Sequence, residues 1–511
     1  MSAASLLSAE ELSRLQAAGL GELAQRLTGL TAQLATERAK NEKLTFEIAQ
    51  LRKLKYGVKS EQLNAEQRAL FEEAIDADIA DIEAQLDEMR QAATQPRDPS
   101  ERPKRAALPA SLPRVDRHHE PDNTTCACGC ELQRIGEDIS EKLDYTPGVF
   151  TVERHIRGKW ACSQCRTLIQ APVPAQIIDK GIPTSGLLAQ VLVAKYGDHL
   201  PLYRQEEIFG RAGVAIPRST LASWVGATGW QLQPLVEALK AHVLGCKVVH
   251  ADETPVAMLA PGTGKTHRAY LWAYASGVFE SLKAVVYDFT ESRSGEHARA
   301  FLGHWRGSLV CDDFSGYKAS FALGVTEAGC MAHARRKFIE LHQANKSTIA
   351  ETAIEFIGQL YGIERDAKEL DAQQRHQMRQ ARAAPIAKAL HDWLVAQRSK
   401  ITDGTATAKA IDYSLNRWVA LTRYLADPAL PIDNNHDEQQ IRPWATGRKN
   451  WLFAGTLKAG QRAAAIMSLI QSAKLNGHDP YAYIKDVLNR LPTHPAKDID
   501  KLLPHRWQPA S

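Results

Sequence analysis

The 511-residue chain has no apolar run approaching the roughly 18 uninterrupted residues of a spanning helix, which excludes a helical membrane protein. Its opening, MSAASLLSAEELSR, places acids where a secretory leader carries an uncharged apolar core, so a cytoplasmic location is expected. Neither sign of charge dominates: 63 Lys and Arg stand against 59 Asp and Glu, a net of +4, and any surface for a polyanion must therefore be local. Cysteines are few, eight in all. Five of them, Cys126, Cys128, Cys130, Cys162 and Cys165, crowd together, while Cys246, Cys311 and Cys330 sit singly in apolar sequence. In a cytoplasmic chain such clustering favours metal over disulfide. Hydrophobic residues at 44% and charged residues at 24% exclude wholesale disorder and collagen-like structure.

At roughly 150 residues per domain, the length allows three or four units. Leu20, Leu23, Leu27, Leu30 and Leu34, then Leu44, Ile48 and Leu51, recur in steps of three and four, with Glu37 and Asn41 on the same seam. This is a heptad pattern. Asn41 takes an a-type position and pairs best with its own copy across a parallel dimer, so a homodimer through this coiled coil is expected; the alternative is a helix packed on its own domain. A second amphipathic stretch, Leu63 through Leu86 and Met89, is acidic on its outer face. Residues 91–121 carry six prolines among charges and read as a linker.

Cys126-Ala-Cys128-Gly-Cys130 and Cys162-Ser-Gln-Cys165 flank strand-like alternation, the arrangement by which a zinc ribbon closes a tetrahedral thiolate site. The chosen ligands are Cys126, Cys128, Cys162 and Cys165 for a structural Zn²⁺, with three thiols competing for the two positions of the first knuckle. Downstream, Leu202 to Trp224 spells a short helix, a Gly-bearing turn and a second helix opening near Pro217, a helix-turn-helix candidate. Its exposed start offers Arg218, Ser219, Thr220 and Ser223 to DNA, although many helical hairpins touch nothing. Gly262-Thr-Gly264-Lys265-Thr266 is similar to a phosphate loop, but Leu259 stands where that loop needs glycine, and a hairpin turn between strands is the better reading.

The strand before that turn carries Asp252 at its end, and Ser308-Leu-Val-Cys-Asp312-Asp313 forms another strand ending in acid. In a ribonuclease-H-like sheet the first and fourth strands lie side by side and present one carboxylate each. Neighbouring carboxylates repel and need a divalent cation, for which hard oxygen donors favour Mg²⁺ or Mn²⁺. A third acid, Glu438, lies about one turn into a helix begun by Asp433 or Asn434. Three such acids could hold two ions for phosphodiester chemistry. Each acid alone is more often a turn former; their order carries the argument. Arg335 and Arg336 after the second strand acid, and Arg442, Arg448 and Lys449 after Glu438, with Lys458, Arg462, Trp444 and Trp451 nearby, form basic stretches suited to phosphates, or else solvated helix faces. His333 belongs to the basic run just past the Asp312 strand or is a satisfied, partly buried histidine.

Several motifs together resemble the large DDE-type transposase of the insertion sequence 66 family over nearly the full length. They are Leu54-Lys-Tyr-Gly57-Val-Lys-Ser60-Glu61, Arg134-Ile-Gly-Glu-Asp138, His250-Ala-Asp252-Glu-Thr254-Pro255, Asp312-Asp-Phe-Ser-Gly-Tyr317, Cys330-Met-Ala-His-Ala-Arg-Arg-Lys-Phe338, Ile432-Asp-Asn-Asn435 through Glu438 to Gly455, and Lys474-Leu-Asn-Gly477-His-Asp-Pro480. The resemblance implies an acidic triad of Asp252, Asp312 and Glu438. Asp313 stands where relatives often have Gly, and the first cysteine knuckle departs from C-x-x-C. It also implies double-stranded DNA as partner (element ends and target), nucleoid association, and small accessory proteins encoded alongside.

The expectation is thus a multidomain α+β chain: a coiled-coil helical region (1–90), the linker (91–121), a zinc-ribbon module (122–172), a helical region with the helix-turn-helix candidate (173–240), the first part of a ribonuclease-H-like core (241–330), a helical insertion (331–430), the second part of the core with the Glu helix (431–476) and a C-terminal segment (477–511). It would cleave element ends and join their 3′-hydroxyls to target DNA by two-metal-ion phosphoryl transfer. The rival is a non-enzymatic DNA-binding regulator, or an inactive relic, in which the acids are structural.

Overall fold

The computed structural model describes residues 21–56, 65–92, 108–110, 112–125, 127, 130–146, 148–178, 181–260, 263 and 265–509. Two helices come first, α1 (Gly21–Tyr56) and α2 (Ala65–Ala92). Leu44, Ile48 and Leu51 of α1 pack on Ile82, Leu86 and Met89 of α2, so this half of the heptad seam is used within the chain. Leu30 and Leu34, earlier on the same stripe, are 60% and 46% exposed. Leu20 lies outside the described residues. The acidic face of α2 docks on the rest of the molecule through buried charges: Arg462 Nη2 donates to Asp78 Oδ1 at 2.8 Å, and Lys195 pairs with Glu73.

A four-stranded sheet follows: β1 (Arg114–His119), β2 (Leu132–Thr146), β3 (Val149–Cys162) and β4 (Leu168–Gln170). β2 and β3 form a long antiparallel hairpin, with β1 parallel to β3 and β4 at the end of β3. Strand β1 corrects the expectation of a linker through residue 121. The segment has little apolar alternation, and ion pairs join it to the hairpin instead, Arg114 to Glu141 at 3.0 Å and Arg154 to Asp116 at 3.2 Å.

The hairpin hands over to α3 (Ser185–Leu192), whose N-cap Thr184 accepts from Leu187 N, and then to α4 (Leu202–Arg211) and α5 (Arg218–Val243). Gly213, at φ +84°, makes the turn between α4 and α5. Leu221, Trp224 and Val225 are buried, as the sequence pattern requires. Helix α2 lies along α5 so closely that a Cβ on Gly226 would stand 2.0 Å from the Ala77 carbonyl oxygen.

The central sheet holds β5 (Val248–Ala260), β6 (Lys265–Ser276), β7 (Val285–Thr290), β8 (Ser308–Cys311) and β9 (Thr326–Gly329), with α6 (Gly295–Leu302) and α7 (Lys318–Ala322) in its connections. Its order is β7-β6-β5-β8-β9. The first three strands form an antiparallel meander, and β8 and β9 add in parallel to β5. The short strand β9 has no counterpart in the sequence reading. β5 and β6 pair antiparallel as far as Ala260↔Lys265, so the strands flanking the phosphate-loop look-alike form a hairpin, as expected; Gly262 and Gly264 lie outside the described residues. A helical block then runs through α8 (Met331–Asn345), α9 (Thr348–Asp366), α10 (Ala372–Met378), α11 (Ala384–Arg398), α12 (Ala406–Asn416) and α13 (Trp418–Ala426) around its own apolar core. The chain returns as α14 (Asn435–Trp451), α15 (Leu457–Leu475) and α16 (Pro480–Arg490). α15 seals the β7 edge: Tyr287 N donates to Ser468 Oγ at 2.8 Å and Val285 N to Ser472 Oγ at 3.0 Å, leaving those amides closed to a further strand.

Candidate active site

Strand register sets the site. β5 and β8 pair in parallel from Val248↔Ser308 to His250↔Val310. Two residues on, with the same side-chain parity, the register brings Asp252 beside Asp312; adjacent strands stand about 4.8 Å apart. Asp252 is half-buried, and its carboxyl is pushed up to about 8, chiefly by desolvation and then by Glu253, with Asp312 and Glu438 adding to the repulsion. Asp312 Oδ1 accepts from Phe314 N at 2.8 Å. The neighbouring Asp313 turns away to an ion pair with Arg417 at 2.8 Å, and Arg417 also holds Glu327 at 2.6 Å.

The third acid arrives on α14. Asn434, its N-cap, spends no side-chain bond on the helix. Instead its Oδ1 meets His250 Nδ1 at 2.7 Å and its Nδ2 donates to the Ala251 carbonyl at 3.0 Å, which docks the helix start on the strand that carries Asp252. Burial, with a smaller contribution from His436, lowers the His250 pKa to about 3, so His250 stays neutral. One turn into the helix, Glu438 Oε2 lies 3.6 Å from Arg336, and Oε1 lies 3.7 Å from His333 Nε2 with no hydrogen-bond partner.

Two acids and a histidine beyond the expected triad face this region. Glu253 is buried, accepting from Arg293 Nε at 2.9 Å and Tyr317 Oη at 2.9 Å. Asp437 is fully buried with both carboxylate oxygens unpartnered, and burial raises it well above the usual range. His333 is not the satisfied histidine that was one reading of the sequence: its Nδ1 is buried without a partner. In sequence His333 stands out only within the basic run after the second strand acid, and Asp437 gives no signal apart from Glu438.

The remaining predicted residues separate into surface and scaffold. Arg442 and Lys449 are exposed on α14, Arg336 is exposed beside Glu438, and Arg335 is half-buried on α8. Arg448 is committed to the scaffold, donating to the Pro255 carbonyl at 2.8 Å. Lys458 binds Glu47 at 2.8 Å, and Arg462 is buried with Asp78. Trp444 is buried in the core against Trp451, so these rings pack the fold. Arg218 pairs with Glu72 of α2 at 3.5 Å; Ser219 is exposed, and Thr220 and Ser223 face a groove whose other wall includes Glu83 and Asp87 of α2.

In the cysteine region, Cys126 and Cys128 lie outside the described residues. Cys162 is buried and accepts from Cys165 N at 3.5 Å, and Arg166, at φ +59°, completes the knuckle turn. Cys130, not chosen as a ligand, donates to Gln164 Oε1 within this knuckle at 3.1 Å.

Comparison with known proteins gives matches along most of the chain. The model for the transposase IS66 family matches residues 180–462, that for the IS66 C-terminal element 468–505, that for the zinc-finger binding domain of transposase IS66 123–166, and one described as transposase C of IS166 homeodomain 43–117. Among similar proteins of Sinorhizobium fredii (strain NBRC 101917 / NGR234), uncharacterized protein y4qI is 36% identical over 97% of this chain and 95% of its own. Uncharacterized protein y4jD is 37% identical over 78% and 81%, and uncharacterized protein y4hP 32% identical over 89% of each. The matches define a transposase, an enzyme class acting on DNA. The chain belongs to the IS66 transposase family. Its zinc-finger domain is of a kind that holds structural zinc, and no helix among the described residues is long and apolar enough to cross a membrane.

Proposed function

We propose that this transposase cuts the ends of its element and joins the freed 3′-hydroxyls to target DNA at a site made by Asp252, Asp312 and Glu438. The observation that carries the reading is the convergence on Asp252 of a neighbouring strand end and a helix start. A half-buried carboxyl pushed up to about 8 among other acids is short of positive charge, and hard oxygen donors on three elements suit Mg²⁺ or Mn²⁺. The sheet order, a three-stranded antiparallel meander extended by two parallel strands, supports a ribonuclease-H-like core.

When bound there, divalent ions supply charge neutralisation and polarisation of the scissile phosphate. Asp252 and Asp312 hold one side of the cradle from adjacent strand ends, and Glu438 closes it from α14. A water oxygen attacks the end phosphorus in line, and the departing 3′-oxygen takes up a proton to become the 3′-hydroxyl. That hydroxyl then attacks a target phosphodiester, releasing the target's own 3′-hydroxyl, so no side chain forms a covalent bond to DNA. Arg442 and Lys449, exposed on the same helix, are placed to neutralise DNA phosphates. Two element ends need two protomers, and the exposed Leu30 and Leu34 stripe of α1 is the surface for a coiled-coil pair. The test is Mg²⁺-dependent cleavage of element-end DNA: Asp252→Asn and Glu438→Gln should bind DNA and fail to cut it. Parental cleavage by either variant would overturn the proposal.

A further inference from the structure

Cys330, His333 and Glu438 offer a sulfur, a nitrogen and an oxygen that all lie within 4.8 Å of one another. The grouping follows from the fold. Cys330 is the N-cap of α8 and His333 stands in its first turn, so a C-x-x-H spacing puts both on one face. The start of α14 is bound to that junction, with Met331 N donating to the Ile432 carbonyl at 3.0 Å and Asn434 N to Cys330 Sγ at 3.2 Å, and this delivers Glu438 to the same place.

Three features point to a ligand. The 3.7 Å between His333 Nε2 and Glu438 Oε1 is too long for a hydrogen bond. It is close to the roughly 3.4 Å that separates two donors bound tetrahedrally to one Zn²⁺ at about 2.0–2.1 Å. Glu438 Oε1, the oxygen facing His333 Nε2, is buried without a hydrogen-bond partner, although such atoms nearly always have one. Arg336 faces the other Glu438 oxygen, which leaves Oε1 to the cluster. The amide donated to Cys330 Sγ is the support a thiolate ligand receives in metal sites.

We infer that Cys330, His333 and Glu438 form a second metal site, for a borderline-soft ion of the Zn²⁺ kind, distinct from the cysteine knuckles and adjoining the carboxylate site through Glu438. Thiolate and carboxylate together cancel the charge of the divalent ion, which suits a site with a buried sulfur. Three protein donors leave a fourth tetrahedral position open. The site shares Glu438 with the proposed triad but is read by metal content, so it stands or falls independently of cleavage.

The test is the zinc content of the full chain, purified with Zn²⁺ and dialysed into zinc-free buffer. His333→Ala should retain one equivalent per chain less than the parent, while Asp252→Asn should retain the parental content even though it fails to cut DNA. With Co²⁺ in place of Zn²⁺, Cys330→Ser should lose part of the thiolate-to-metal absorption. Because Cys330 is buried, the partly exposed His333 variant is decisive, with its fold checked by circular dichroism. Parental zinc content in folded His333→Ala would overturn the inference.

Discussion

Asn434 bridges two neighbouring residues of one strand: its Oδ1 lies 2.7 Å from His250 Nδ1, and its Nδ2 donates to the Ala251 carbonyl. Residues 184 positions apart in the chain are thereby held in one buried pair. That pair fixes where α14 begins, and hence where Glu438 sits relative to Asp252.

Replacing Asn434 by Ala leaves His250 Nδ1 buried without a partner and removes the bond to the Ala251 carbonyl. The cost of such an orphaned group is about 1–3 kcal/mol. Urea denaturation of Asn434→Ala should show a loss of that order, together with weaker metal binding at the carboxylate site. Parental stability would show that the dock is dispensable.

The raised Asp252 carboxyl gives the metal-free protein a defined pH dependence. The folded state holds a proton up to about pH 8, whereas the unfolded chain releases it near the ordinary value of 3.8. The stability this group contributes is complete below that ordinary value and is lost as pH rises through about 8. Metal-free Asp252→Asn, which never ionises, should therefore melt several degrees above the parent at pH 9, and the difference should shrink as pH falls toward 4. Thermal melts across that range check the sign.

Asp78 and Arg462 form the buried ion pair that pins α2 to α15, with side chains 1% and 3% exposed. Removing one partner of such a pair costs about 3–5 kcal/mol, because the other charge stays buried and uncompensated. Asp78→Ala should show a loss of this size in denaturant titration. The double variant Asp78→Leu with Arg462→Met should recover most of it.

Exposed and committed basic residues on α14 should separate by assay. Arg442→Ala and Lys449→Ala should each weaken DNA binding and reduce the salt dependence of log K by about one unit for each phosphate no longer neutralised. Arg448→Ala, which abandons the Pro255 carbonyl, should chiefly lower stability. Equal salt slopes for all three would contradict this division.

The sequence exposed the elements with strong local signals. Hydrophobic runs ending in Asp252 and Asp312 read as strands because fully buried strands are continuously apolar, and the Gly213 turn read as a helix connection. Strand β1 escaped notice because its partners are charges on β2 and β3, a pairing that no local period announces. The basic residues after Glu438 looked equivalent in sequence, yet Arg448 and Arg462 are scaffold while Arg442 and Lys449 are exposed, since helix phase and distant carboxylates such as Asp78 decide which charge is buried. The orphaned atoms of His333 and Asp437 are properties of packing between α8, α14 and the sheet, and only the assembled fold reveals them.

Anomalous diffraction from crystals soaked in Mn²⁺ reads the carboxylate site directly. The account predicts a manganese peak coordinated at once by oxygens of Asp252, Asp312 and Glu438. A peak bound elsewhere, with the three carboxylates directed into separate environments, would contradict it.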